Sequence, residues 1–114
     1  MIIEKTVLDY LSDRLDAPVY MEKPANPPGS YVLVIKTGSS VSNFIYRAMI
    51  VVQSIAPSLY EAAQLNEAVK STMNGIIELN EITRCTLNSD YEFTNTQTKE
   101  RRYQAVFELV HYGG

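Results

Sequence analysis

The chain has one cysteine, one histidine and no tryptophan in 114 residues. A lone cysteine cannot close an internal disulfide, so a packed core must hold the fold, which fits a reducing compartment. A metal site needs several His, Cys, Asp or Glu side chains at suitable spacing. His111 and Cys85 each stand without such a companion. They read as a surface histidine on the last strand and a small core thiol. A nucleophilic cysteine would want an activating partner, and none is spaced for it. Glycine is sparse as well: Gly38 is isolated and Gly113-Gly114 begins no helix, so no phosphate-cradling loop is present. No apolar run approaches the ~20 residues of a membrane span. No basic region followed by an apolar stretch marks an N-terminal leader. A net charge of -3 lacks the basic footprint of sequence-independent nucleic-acid binding. These absences leave no catalytic, cofactor-binding or metal residue to nominate, and a non-enzyme is expected.

What is present is strand and helix pattern. The length fits one domain over residues 1–114, with Gly113-Gly114 expected to fray. The longest strand-like run is Asn43 to Ala56. Its alternation puts Phe44, Tyr46, Ala48, Ile50 and Val52 on one face. Ile45, Arg47, Met49, Val51, Gln53 and Ile55 take the other. That second face is half apolar, and either this chain or another subunit must cover it.

Residues 2–16 read as an amphipathic helix with Ile3, Val7, Leu11 and Leu15 on one side. Ala17-Pro18 ends it. Val19 to Met21 is a short extended piece. Pro24 to Gly29 is a proline-rich connection. Tyr31 to Lys36 is a strand, and 37–42 reads as the loop at a hairpin tip. Ser58-Leu-Tyr-Glu61 fits a capping box, opening a helix that runs to about Asn74-Gly75. Its buried stripe is Ala62, Leu65, Val69, Met73 and Ile76. Two long strands follow, Ile82 to Phe93 and Arg101 to Tyr112, joined by a polar segment. Asp90 and Glu92 fall with Arg84, Thr86 and Asn88 on a solvated face, about 7 Å apart by strand rise. Lys99 to Arg102 reads as a charged guard on an exposed hairpin.

The order α-β-β-β-α-β-β predicts an α+β fold. A mostly antiparallel sheet of about four strands carries two helices on one face and a long C-terminal hairpin. The helices are expected to bury Phe44, Ile50, Phe107 and Leu109. The opposite face keeps Met49, Val51, Val106 and Val110, with no third helix to hide them.

Taken in order, an N-terminal helix, VYMEKPANPPGSYVLV, the long central strand, the Ala-rich helix SLYEAAQLNEAVKSTM and a hairpin closing on RRYQAVFELVHY resemble the tail terminator proteins of long-tailed bacteriophages. These are also known as minor tail or tail-to-head joining proteins. The resemblance covers nearly the whole chain and rests on order and size rather than on one motif. It implies a virion protein of the tail or neck, made in the host bacterial cytoplasm. It also implies a homohexameric ring that caps the tail tube, ends its polymerisation and offers the surface for the head. The implied partners are the tail tube protein and the head-tail connector. DNA only passes through the lumen, and neither cofactor nor membrane is involved. Strand alternation nominates Arg47, Met49, Val51, Val106, Glu108 and Val110 for the subunit interface. Position nominates Ser39, Ser40, Asn43, Thr96, Gln97, Lys99, Glu100, Arg101 and Arg102 for contact with tube or connector. The alternatives are a head-completion (connector) protein of the neck and a cellular ligand-binding α+β module.

Overall fold

The computed structural model describes residues 1–112; the frayed end expected at Gly113-Gly114 lies outside the described residues. Two helices, α1 (Ile3–Arg14) and α2 (Leu59–Met73), pack on one face of a five-stranded sheet. The strands are β1 (Val19–Tyr20), β2 (Tyr31–Ser42), β3 (Ile45–Ala56), β4 (Ile82–Glu92) and β5 (Arg101–Tyr112). Their spatial order is β1-β2-β3-β5-β4. Only β1 and β2 run parallel; the other pairs are antiparallel. The architecture is the expected α+β one, with the two-residue β1 as the fifth strand.

α1 buries Ile3, Val7, Tyr10 and Leu11. It stops at Arg14 because Leu15 is already extended ahead of Ala17-Pro18. Tyr10 rather than Leu15 completes the buried stripe, and the Arg14 guanidinium lies 3.7 Å from the Tyr10 ring centroid. α2 opens as expected, with the Ser58 hydroxyl accepting from the Glu61 amide at 3.2 Å. The Glu61 carboxylate takes the Ser58 hydroxyl at 2.9 Å instead of the Ser58 amide. Ala62, Val69 and Met73 are fully buried, and Ile76 follows them in a single 3-10 turn, Ile76–Glu78. The core beneath the helices includes Val32, Val34, Ala48, Ile50, Val52, Ala105, Phe107 and Leu109.

The region 37–42 is strand, not loop. A bulge between Lys36 and Gly38 sets Thr37 aside, after which the ladder with β3 continues to Ser42 opposite Ile45. The hairpin therefore turns in two residues, Asn43 and Phe44, at φ 53° and 65°. Positive φ at both central positions is the turn type whose twist matches that of paired strands. This overturns the expected burial of Phe44, which stands 87 % exposed at the apex.

Two bulges reshape β4, between Ile82 and Arg84 and between Leu87 and Ser89. Side chains alternate with a period of two, so each extra residue moves all that follow to the other face. Ile82, Cys85, Leu87 and Asp90 pair with His111, Leu109, Phe107 and Ala105 and so share the helix side. Asp90 is thus not on the solvated face with Arg84 and Thr86. It meets α2, where Asn66 and Lys70 donate to it, both at 3.2 Å. The β4–β5 hairpin does not project alone, since β5 pairs with β3 along its full length.

Candidate functional site

Among the described residues, the sheet face away from the helices takes no cover from α1 and α2. β2, β3 and β5 build it, and register decides which side chains meet there. Arg47 lies opposite Val110, Met49 opposite Glu108, and Val51 opposite Val106. All six residues nominated for a subunit interface therefore form one patch of three adjacent cross-strand pairs. Their exposure differs. Arg47 is exposed, Met49, Val106, Glu108 and Val110 are half-buried, and Val51 is only 6 % exposed. A shallow cavity of about 240 Å³ opens beside the β2 bulge, with Gly38, Ser40, Arg47, Met49 and Glu108 among its walls.

Toward the start of β2 the same face closes over itself. Tyr31, Leu33 and Ile55 form a second small core, with Tyr20 packed edge-on against Tyr31 at 6.2 Å. Beside it runs a short polar chain. Gln53 donates to Gln104 at 2.9 Å, and Gln104 donates to the Tyr91 hydroxyl at 2.6 Å. The Leu87/Ser89 bulge pairs Tyr91 with Gln104 and so permits that contact. Mutual satisfaction lets two glutamines lie buried on a sheet face.

The residues nominated for tube or connector contact separate into two groups. Ser39, Ser40 and Asn43 lie at the β2–β3 turn, the end where Ile45 pairs with Tyr112. Thr96, Gln97, Lys99, Glu100, Arg101 and Arg102 lie at the far end, where Ala56 pairs with Arg101. The molecule measures 44 × 26 × 25 Å, so the groups mark distinct ends of an elongated body. In the second group Asn95 organises the turn, its side-chain oxygen accepting from the Gln97 and Thr98 amides. Glu100 and Arg102 are turned inward more than a charged guard would be. The Glu100 carboxylate accepts from Lys23 at 3.0 Å and from the Tyr31 hydroxyl at 2.9 Å. Arg102 lies 3.5 Å from Glu100, donates to the Phe93 carbonyl at 2.6 Å, and covers the Phe93 ring. Burial tends to raise the Glu100 pKa. The hydrogen bonds from Lys23 and Tyr31 and the charges of Lys23 and Arg102 together outweigh it, leaving a net lowering. Burial and donation to Glu100 push the Tyr31 phenol up to about 12. This knot ties the proline-rich 21–30 segment to the β4–β5 hairpin.

Sequence pattern passed over two features. One is Phe44 as an exposed apex, which Asn43, a residue tolerant of positive φ, could have signalled. The other is the Asn66–Lys70–Asp90 contact, which needs the β4 bulge and has no local signature. Among the described residues, no three His, Cys, Asp or Glu side chains gather as metal ligands. No helix of the described residues is long and apolar enough to cross a membrane. Cys85 sits half-buried on the helix side, and burial pushes its thiol up to about 11.

No protein-family model matches the chain. No curated protein matches it in sequence. Among solved structures, a chain from the virion of a native gene transfer agent (GTA) particle has a similar fold. The TM-score is 0.58 at 14 % identity, over 97 % of this chain and 95 % of that one.

Proposed function

We propose that this chain is a structural protein of a phage-like particle, acting as a tail terminator. Copies join in a ring that caps the tail tube, ends its growth and presents a surface to the head. DNA passes through the lumen, and the protein performs no reaction. The observation that carries the reading is the fold shared end to end with a chain of a GTA virion. The open sheet face supports it, since the pairs Arg47/Val110, Met49/Glu108 and Val51/Val106 form a mixed apolar and charged patch suited to a subunit contact. Assembly is proposed to take place in the cytoplasm of the bacterial host.

A double substitution, Met49→Asp with Val110→Asp, tests the patch. Both residues are only half-buried, so the fold survives, whereas Val51→Asp would charge a covered site. The variant is expected to stay folded and monomeric and to fail to cap tail tubes under negative-stain microscopy. Capping at parental potency by that variant removes the patch from the interface. Tubes of unchanged length with parental protein remove the terminator role. In that case, binding to the portal complex would assign the chain to head completion, the second reading, because the open sheet patch would serve a ring of either kind.

A further inference from the structure

The β2–β3 hairpin ends in a conformation that its sequence should avoid. Phe44 takes φ 65° with no glycine to relieve the crowding of its side chain. The strain brings little burial within the chain, because Phe44 is 87 % exposed. Val41 at 58 %, Ile45 at 39 % and Tyr112 at 55 % stand exposed at the same end. Between Lys36 and Arg47 the hairpin carries no charge at all, and both bracketing residues are basic and exposed. Neither makes an ion pair among the described residues.

The other end offers the complement. An open groove of about 520 Å³ runs between the α1–β1 turn and the first half of α2. Leu15, Pro18, Leu65 and Ala68 supply apolar wall, and its charged residues are Asp16 and Glu61, both acidic. The groove adjoins the start of β2, through the bond from the Val32 amide to the Pro18 carbonyl. The β2–β3 turn is twelve strand residues away at the end of β2. An apolar knob backed by positive charge and an apolar groove rimmed by negative charge thus sit at opposite ends of one chain.

We infer that the occupant of this groove is a second copy of the chain: Phe44 of one subunit seats between the α1–β1 turn and α2 of the next, with Arg47 drawn toward Asp16 and Glu61. Knob and groove are different surfaces, so the contact is head-to-tail and repeats from copy to copy. It deepens the ring reading and rests on it only for closure of the series.

The test is cysteine trapping in full-length chains that carry Cys85→Ser. Phe44→Cys protein and Ala68→Cys protein are mixed, oxidised and separated on a non-reducing gel. A mixed disulfide dimer is expected, well above the self-linked dimers of either protein alone. Sedimentation supplies the second readout. Phe44→Gly, which suits the turn and so folds, should weaken self-association at least about tenfold. Arg47→Glu should weaken it too, and Glu61→Arg in the same chain should restore it. Absence of the mixed disulfide overturns the inference, as does parental association by Phe44→Gly. Dominant Phe44→Cys self-linking also overturns it, since that would mean tip meets tip. A mixed disulfide with unchanged tube length keeps the contact and removes the terminator role. Full capping by Phe44→Gly without a mixed disulfide does the reverse.

Discussion

Asp90 of β4 lies 3.2 Å from the Lys70 ammonium of α2, although the alternation of its own strand assigns it to the opposite face. The bulge between Leu87 and Ser89 brings it there. Lys70 also pairs with Glu67 at 2.6 Å, and hydrogen bonding to Glu67 is the largest influence raising its pKa. The contact fastens the edge strand to the crossover helix.

Asp90→Ala should therefore destabilise the chain by about 1–2 kcal/mol, because it removes a charged acceptor and strands the amide of the buried Asn66. Deleting Asn88 should cost less. It removes the extra residue and closes the bulge, yet leaves Asp90 opposite Ala105 and Tyr91 opposite Gln104. Urea unfolding of both variants measures the difference; a deletion as costly as Asp90→Ala would show that the pairing beyond Leu87 needs the bulge.

Glu100 gives a pH signature. Its folded pKa is lowered, so ionised Glu100 contributes stability that is present above its unfolded value of about 4.3 and is lost as pH falls through the folded value. Glu100→Gln should be about 1–2 kcal/mol less stable at neutral pH. The gap from the parent should narrow on acidification below about pH 4.3. Tyr31 acts at the other limit. Its raised pKa means stability held below about pH 10 and lost as pH rises toward about 12. Tyr31→Phe should flatten that alkaline loss. Urea midpoints across pH check both signs.

Phe44→Gly should raise stability by about 0.5–1 kcal/mol, since glycine accepts positive φ that phenylalanine resists. A β-branched Phe44→Val should lower it. Thermal melts at a concentration where the chain is monomeric separate this backbone effect from any contact between copies.

Cys85 should react with a thiol-specific reagent at pH 8 at least about tenfold more slowly than a free cysteine, because burial keeps its thiol protonated. The difference should vanish in denaturant. Rapid labelling of the folded chain would place Cys85 in a more open site.

Much of the fold was legible because it is written in local periodicity. The four-residue spacing of Ile3, Val7 and Leu11 gives α1, and Ser58 with Glu61 starts α2. The alternation of Ala48, Ile50 and Val52 against Met49 and Val51 gives a strand with two distinct faces. The six interface candidates fell in one patch because β3 and β5 pair without a bulge, so alternation survives along both. β2 and β4 defeated the same reasoning. One inserted residue in β2 and two in β4 shift a face or extend a strand, and nothing near Thr37, Thr83 or Asn88 announces them.

Side-chain type and spacing set the inventory of two amphipathic helices and the alternating strands. Both follow from the sequence by itself, within a few turns or strand steps. Only the tertiary structure decided that Asp90 reaches Lys70, that Glu100 gathers Lys23 and Tyr31, and that Phe44 stands clear at the apex with an acidic groove at the far end. Those relations join residues distant in the chain. Pairing register fixes them, and a slip of one residue reverses every side chain beyond it.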